Sequence, residues 1–262
     1  MRGAARWLAV PILSLATQAT AEEPLRLTYR TYAVGMPIAD VEGMIGIGRW
    51  TYQLTLSFRT IGAARLVFAG HAASSVFGTW QDGRPAPRKY DADGVWRGER
   101  RATLIDYDQG VPAIRLLLPP PEADREIVAE GFRSNSSDTL SAVAALVRIV
   151  ADSGHCESTQ RIFDGRRAAD MTARTVGPEI LPPDTRSSFS GPTLRCDFVS
   201  RILAGFRHDE ANRTDYRPLR GSAWLAVVAP GHLAIPVRVT LETRWFGEAT
   251  AYLTGADASG RQ

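Results

Sequence analysis

The chain has 262 residues, with 31 Lys plus Arg against 28 Asp plus Glu, and 44% of it is hydrophobic. That is enough apolar material for a real core, so a disordered tail is excluded, and the length suits one large all-β domain or two small ones. The formal charge of +3 is dispersed among acids. No basic run could neutralise a line of phosphates, so nucleic acid is not an expected partner.

Residues 1–21 have the form of a secretory signal peptide. Arg2 and Arg6 give the positive start, Trp7 to Ala16 the apolar run, and Ala19-Thr20-Ala21 the small-residue cleavage signature. The run is shorter than the roughly 20 apolar residues that cross a bilayer as a helix. Cleavage is expected after Ala21, which removes two of the three net positive charges. Residues 22–262 are expected to form a single β-rich domain outside the cytoplasm.

Strand signals dominate from Leu25 to Leu118. Leu25, Leu27 and Tyr29 alternate with Arg26, Thr28 and Arg30, the period of a half-buried strand. Met36 to Ile47 is a second apolar stretch with strand character, broken by Gly43 and Gly46, which suggest bends or bulges, and Trp50 to Phe58 is the cleanest alternation of all. Leu66 to Phe68, Ala72 to Trp80, Lys89 to Val95, Arg101 to Tyr107 and Ala113 to Leu118 continue the series. Asp82-Gly83, Asp93-Gly94 and Gln109-Gly110 are predicted turns. Pro119-Pro120-Pro121 stops the pattern. Glu122 to Phe132 reads as a short helix or a crossing segment.

A helix is predicted near 138–152, with Ser136 or Ser137 as its cap, Asp138 at the positive end of its dipole and Gly154 as its stop. It is apolar around most of its circumference, so it belongs on or inside the sheet. Strands return at Thr159–Phe163, Ala168–Val176, Leu194–Ala204, Ala223–Ala229, Leu233–Leu241 and Glu248–Leu253. Residues 177–192, rich in Pro, Ser and Gly, read as a long loop.

The only cysteines are Cys156 and Cys196. In an exported chain an even count points to a disulfide. A nucleophilic Cys156 beside His155 is the rival reading, but neighbours in an extended segment point to opposite faces. The four histidines at 71, 155, 208 and 232 have no ligand spacing, so no metal site is expected. There is no Gly-x-Ser-x-Gly elbow and no phosphate-binding loop. His208-Asp209-Glu210 and the pair Asp106 and Asp108 could do acid–base work, yet a solvated loop tip and an exposed strand end explain them as well. Asn135-Ser136-Ser137 and Asn212-Arg213-Thr214 match the glycosylation acceptor pattern. Trp50, Trp80, Trp96, Trp224 and Trp245 either wall an apolar cavity or simply fill the core. Thirty of the 31 basic residues are Arg, with Lys89 the lone Lys. Their even spread reads as codon bias rather than recognition.

Four features in order resemble the domain of unknown function 3108 family of exported bacterial proteins. They are Gly35 and Gly43 around Tyr32 to Ile45, the helix opening Asp138-Thr139-Leu140-Ser141-Ala142, the run Phe163-Asp164-Gly165-Arg166-Arg167, and Trp224 ahead of Ile235-Pro236-Val237. The resemblance implies a periplasmic, envelope-associated protein with no catalytic residues to carry over. The layout is also similar to periplasmic lipoprotein-carrier domains, in which a curved sheet wraps a helix and holds acyl chains.

The expected fold is therefore mainly β: a strongly curved antiparallel sheet or open barrel wrapped around one central helix. The expected role is non-catalytic: no cofactor, a lipid or envelope component as partner, and no membrane-spanning segment. An envelope polysaccharide or peptidoglycan hydrolase and a protein-interaction module are the alternatives.

Overall fold

A computed structural model describes residues 23–120, 125–208, 217–243 and 247–258. The predicted signal peptide, Asp209 and Glu210, the second glycosylation pattern and Trp245 lie outside the described residues. The first seven strands are β1 (Leu25–Ala33), β2 (Met36–Ile47), β3 (Thr51–Thr60), β4 (Gly70–Gln81), β5 (Arg84–Trp96), β6 (Glu99–Asp108) and β7 (Val111–Leu118). After the helical part come β8 (Ser158–Phe163), β9 (Ala168–Leu181), β10 (Gly191–Ala204), β11 (Leu219–Ala226), β12 (Ile235–Thr243) and β13 (Gly247–Ala258).

All thirteen form one antiparallel sheet in the order β7-β6-β5-β4-β3-β2-β1-β13-β12-β11-β10-β9-β8. Each strand pairs with its neighbour in sequence, and β1 pairs with β13 from Leu25↔Ala258 to Ala33↔Ala249. The protein is mainly β, and the sheet is not closed: β7 and β8 are its two ends. Those ends approach each other at one corner. Arg166, in the β8–β9 turn, donates to the carbonyls of Leu118 and Pro119 at the end of β7. Gly165 beside it lies so close to β6 that an added Cβ would come within 2.7 Å of Thr103.

The chain between the two ends holds two helices. α1 (Arg65–Phe68) lies earlier, between β3 and β4; α2 (Glu130–Arg133) is a single turn; α3 (Thr139–Ser153) is the long helix. Asp138, not Ser136 or Ser137, caps α3: its Oδ1 accepts from the Ser141 N–H at 2.9 Å, while Ser136 donates to the Arg133 carbonyl instead. Gly154 ends the helix in the left-handed conformation, φ 71°, as its sequence position predicts.

Leu140, Ala144, Val147 and Val150 of α3 pack with Tyr52, Leu54, Val76, Tyr90 and Ile105 from β3 to β6, and with Phe163, Ala173, Cys196, Ala223 and Leu225 from β8 to β11. One core therefore joins both halves of the sheet through the helix. Each such aliphatic side chain taken fully out of water contributes about 1.5–3 kcal/mol. A second cluster gathers Leu25, Leu27, Trp224, Ile235, Val237 and Leu253 with Leu181.

Three local expectations give way. Leu66 to Phe68 is not a strand but a 3-10 turn (Gly62–Ala64) running into α1, because β3 and β4 already pair and the chain between them must reverse. Asp93-Gly94 is not a turn but lies inside β5, flat against β4; an added Cβ on Gly94 would meet the His71 carbonyl oxygen at 2.4 Å. The reversal comes at Arg97-Gly98, both at positive φ. The long loop shortens to residues 182–190, since β9 runs to Leu181 and pairs it with Gly191.

Close packing fixes how the helix meets the sheet. The Ser141 hydroxyl donates to Asp138 Oδ2 at 2.5 Å and receives the Tyr52 hydroxyl at 2.8 Å. Tyr52 pairs directly with Gly78 across the strands, and its ring fills the space a Cβ there would take, 2.4 Å away. Gly78→Ala should therefore push Tyr52 off Ser141 and destabilise the fold by about 1–3 kcal/mol, read as a lowered midpoint in chemical denaturation.

Candidate functional site

Cys156 follows α3 and Cys196 lies in β10. Both are fully buried, and their Cα atoms are 5.9 Å apart, at disulfide distance. His155 is exposed while Cys156 is not, so no nucleophile–base pair forms there. A clamp closes over the pair. The Cys156 N–H donates to Thr175 Oγ1 at 2.9 Å, and the Thr175 N–H and hydroxyl donate to the two oxygens of Glu157 at 3.0 and 2.8 Å. Those bonds hold the Glu157 carboxyl down to about 2.

The other sequence candidates separate. Asp106 pairs with Arg115 at 2.9 Å, and Asp108 is exposed at the strand end. Among the described residues no group of three or more His, Cys, Asp or Glu could hold a metal ion. The tryptophans do not wall one cavity. Trp50 lies outside β3, 69% exposed under the guanidinium of Arg49. Trp80 stacks on Tyr52 and donates to the Gly48 carbonyl. Trp96 stacks with Phe68, and Trp224 belongs to the second core cluster.

Beside α3 the described residues leave little room for a ligand. Asp138 exposes no surface, and burial raises its pKa; the Ser141 hydroxyl is committed to it and the Tyr52 hydroxyl to Ser141. The void where α3 meets the strand ends, between Leu25, Ile45, Ile47, Val147, Leu233 and Ile235, measures about 20 Å³, room for about one water.

Sequence reasoning missed an arginine row. Register partners place Arg195, Trp224, Arg238, Tyr252, Arg30, Asp40 and Arg59 side by side across β10-β11-β12-β13-β1-β2-β3. Arg195 lies 5.1 Å over the Trp224 ring. Arg238 lies 5.6 Å from that ring and 5.1 Å from Tyr252, within cation–π range. Asp40 pairs with both Arg30 and Arg59 at 2.9 Å. No local spacing announces this, because consecutive members come from different strands. Beside the row a polar groove of about 470 Å³ opens between Arg174, Arg195, Asp197, Arg220, Ser222, Glu242 and Glu248. Asp197 is committed to Ser222 (2.7 Å) and to Arg195 and Arg174. Glu242 and Glu248 are direct cross-strand partners on the groove's rim.

No helix among the described residues is long and apolar enough to cross a membrane. The architecture defines an open, barrel-like antiparallel β protein. It is similar to the crystal structure of a beta-barrel-like protein of domain of unknown function DUF1849 from Brucella abortus, with a TM-score of 0.56 at 12% identity over 91% of this chain and 99% of that one. The chain itself belongs to the family described as protein of unknown function (DUF3108), which matches residues 26–254. A comparison with curated proteins finds no match.

The Glu157 clamp has a pH signature. Its folded pKa is depressed from 4.5 to about 2, so its stabilisation is complete above about pH 4.5 and is lost as pH falls through about 2. Melting temperatures between those limits should fall less steeply in Glu157→Gln than in the wild type.

Proposed function

We propose that this is a non-catalytic protein of the bacterial cell envelope, acting in the periplasm as a binding or assembly module. In this reading the open sheet curls about α3 as a central post, and Cys156 and Cys196 are oxidised to a disulfide after export. The observation that carries it is the buried cysteine pair at bonding separation, tying the residue after α3 to a strand 40 positions on. Such a link persists in an oxidising compartment and not in a reducing one. Closing a loop of that length stabilises by about 4 kcal/mol in the chain-entropy model.

In this reading an apolar ligand binds on the outside of the sheet, unlike a carrier that holds acyl chains within, and the small size of the void beside α3 supports that. Support for a non-catalytic role comes from the buried state of Asp138 and the ion pairs that occupy Asp197 and Asp106. For the hydrolase alternative, Glu242 and Glu248 are the adjacent acid pair in the groove beside the arginine row.

Intact-mass measurement on protein extracted from the periplasm tests the reading. The chain should begin at Glu22 and be lighter by the two hydrogens that oxidation removes. A leader-bearing cytosolic protein with two free thiols would overturn it. Peptidoglycan zymography should be blank, and clearing abolished by Glu242→Gln or Glu248→Gln would reassign the protein as a hydrolase.

A further inference from the structure

The β3–β4 connection carries an apolar tip that no described residue covers. Leu66 is 89% exposed and Val67 68%; both stand on α1, in the β3–β4 connection. The β1–β2 hairpin beside it presents Val34 and Met36, also exposed. The two connections are joined, because the Ile61 N–H donates to the Ile38 carbonyl at 2.9 Å. The tip is anchored from beneath. Phe68 stacks on Trp96 at 6.2 Å between ring centres, and the Arg97 N–H donates to the Ala69 carbonyl. It is a supported projection, not a frayed loop.

The β3–β4 connection itself carries only basic charge. From Arg59 to His71 the sequence holds no acid. Arg65 and Arg97 are exposed at the base of the tip, and neither has an ion-pair partner among the described residues. Glu99, close to Arg97 in sequence, is drawn to Arg101 at 3.7 Å.

We propose that this end of the sheet docks on an anionic lipid bilayer, with Leu66 and Val67 entering the interface and Arg65 and Arg97 meeting the headgroups. Apolar insertion and basic attraction together are what reversible membrane binding requires. Side chains this exposed protrude instead of lining a groove, and a fluid surface accepts them without a shaped pocket. They are also far too few to build the roughly 800 Å² per partner of a stable protein interface. The inference rests on the envelope reading for which membrane is concerned.

Flotation of the mature chain with vesicles tests it. The protein should rise with phosphatidylglycerol-containing vesicles and remain behind with phosphatidylcholine alone. Leu66→Ser with Val67→Ser should lower partitioning roughly tenfold or more, since each apolar side chain contributes on that scale. Both positions face solvent, so the melting temperature should hold and the loss cannot be put down to misfolding. Arg65→Glu with Arg97→Glu should abolish the preference for anionic vesicles, as should salt near about 1 M, where the screening length is about 3 Å. A wild type that stays behind with anionic vesicles would overturn the proposal. So would a serine variant that floats as well as the wild type, or a concentration-dependent dimer that the same variant dissolves. A cytosolic, leader-bearing chain that still floats would sink the envelope reading and spare the docking surface.

Discussion

The pairing of β1 with β13 is what makes this molecule one sheet. Every other ladder joins strands adjacent in sequence, and such hairpins form locally. The β1–β13 ladder brings together residues more than 200 positions apart, from Leu25↔Ala258 onward. Without it the chain would be two separate meanders, each exposing an edge strand and half of an apolar face. With it, the free edges move to β7 and β8, and the connection between those strands is where α3 lies. The helix then has apolar surface to meet from both meanders, and the single core that results includes Ile105 and Leu225 at once.

Such a seam carries a large loop-closure entropy, and the structure offsets it with contacts that only the assembled form can make. Asp138, Ser141 and Tyr52 form a buried chain of hydrogen bonds between helix and sheet. Cys156, just after the helix, and Cys196 of β10 meet at disulfide distance. Cross-strand glycines let large rings lie flat: Tyr52 over Gly78, and Phe198 over Gly221. In each case the ring fills the volume its partner lacks, a substitute for the packing that two ordinary side chains would provide.

Filling the interior in this way turns the protein's chemistry outward. The carboxylate with the most perturbed surroundings, Asp138, is a structural cap sealed from solvent. The groups that remain available are guanidinium planes on aromatic rings, a polar groove beside them and an apolar tip at one end. These are the surfaces on which the proposed binding role would act.

The sequence by itself determined the local grammar. Alternation marked β3 within two residues, the apolar stretch Met36 to Ile47 became β2 with an unbroken register against β3 instead of a bulge at Gly43 or Gly46, Asp82-Gly83 and Gln109-Gly110 marked real turns, and Gly154 marked the end of α3. These succeed because period, φ preference and capping act over a few residues. The failures share the opposite character. Gly94 looks like a turn residue until β4 is laid against it, and Leu66 to Phe68 looks like a strand until both flanking strands are paired. Arg195, Arg238, Arg30 and Arg59 look evenly scattered until register sets them in one row. Only the tertiary structure decided these, because strand order and register are fixed by which distant backbones share hydrogen bonds and which apolar faces must be buried together. That is a property of the assembled sheet, and no single segment contains it.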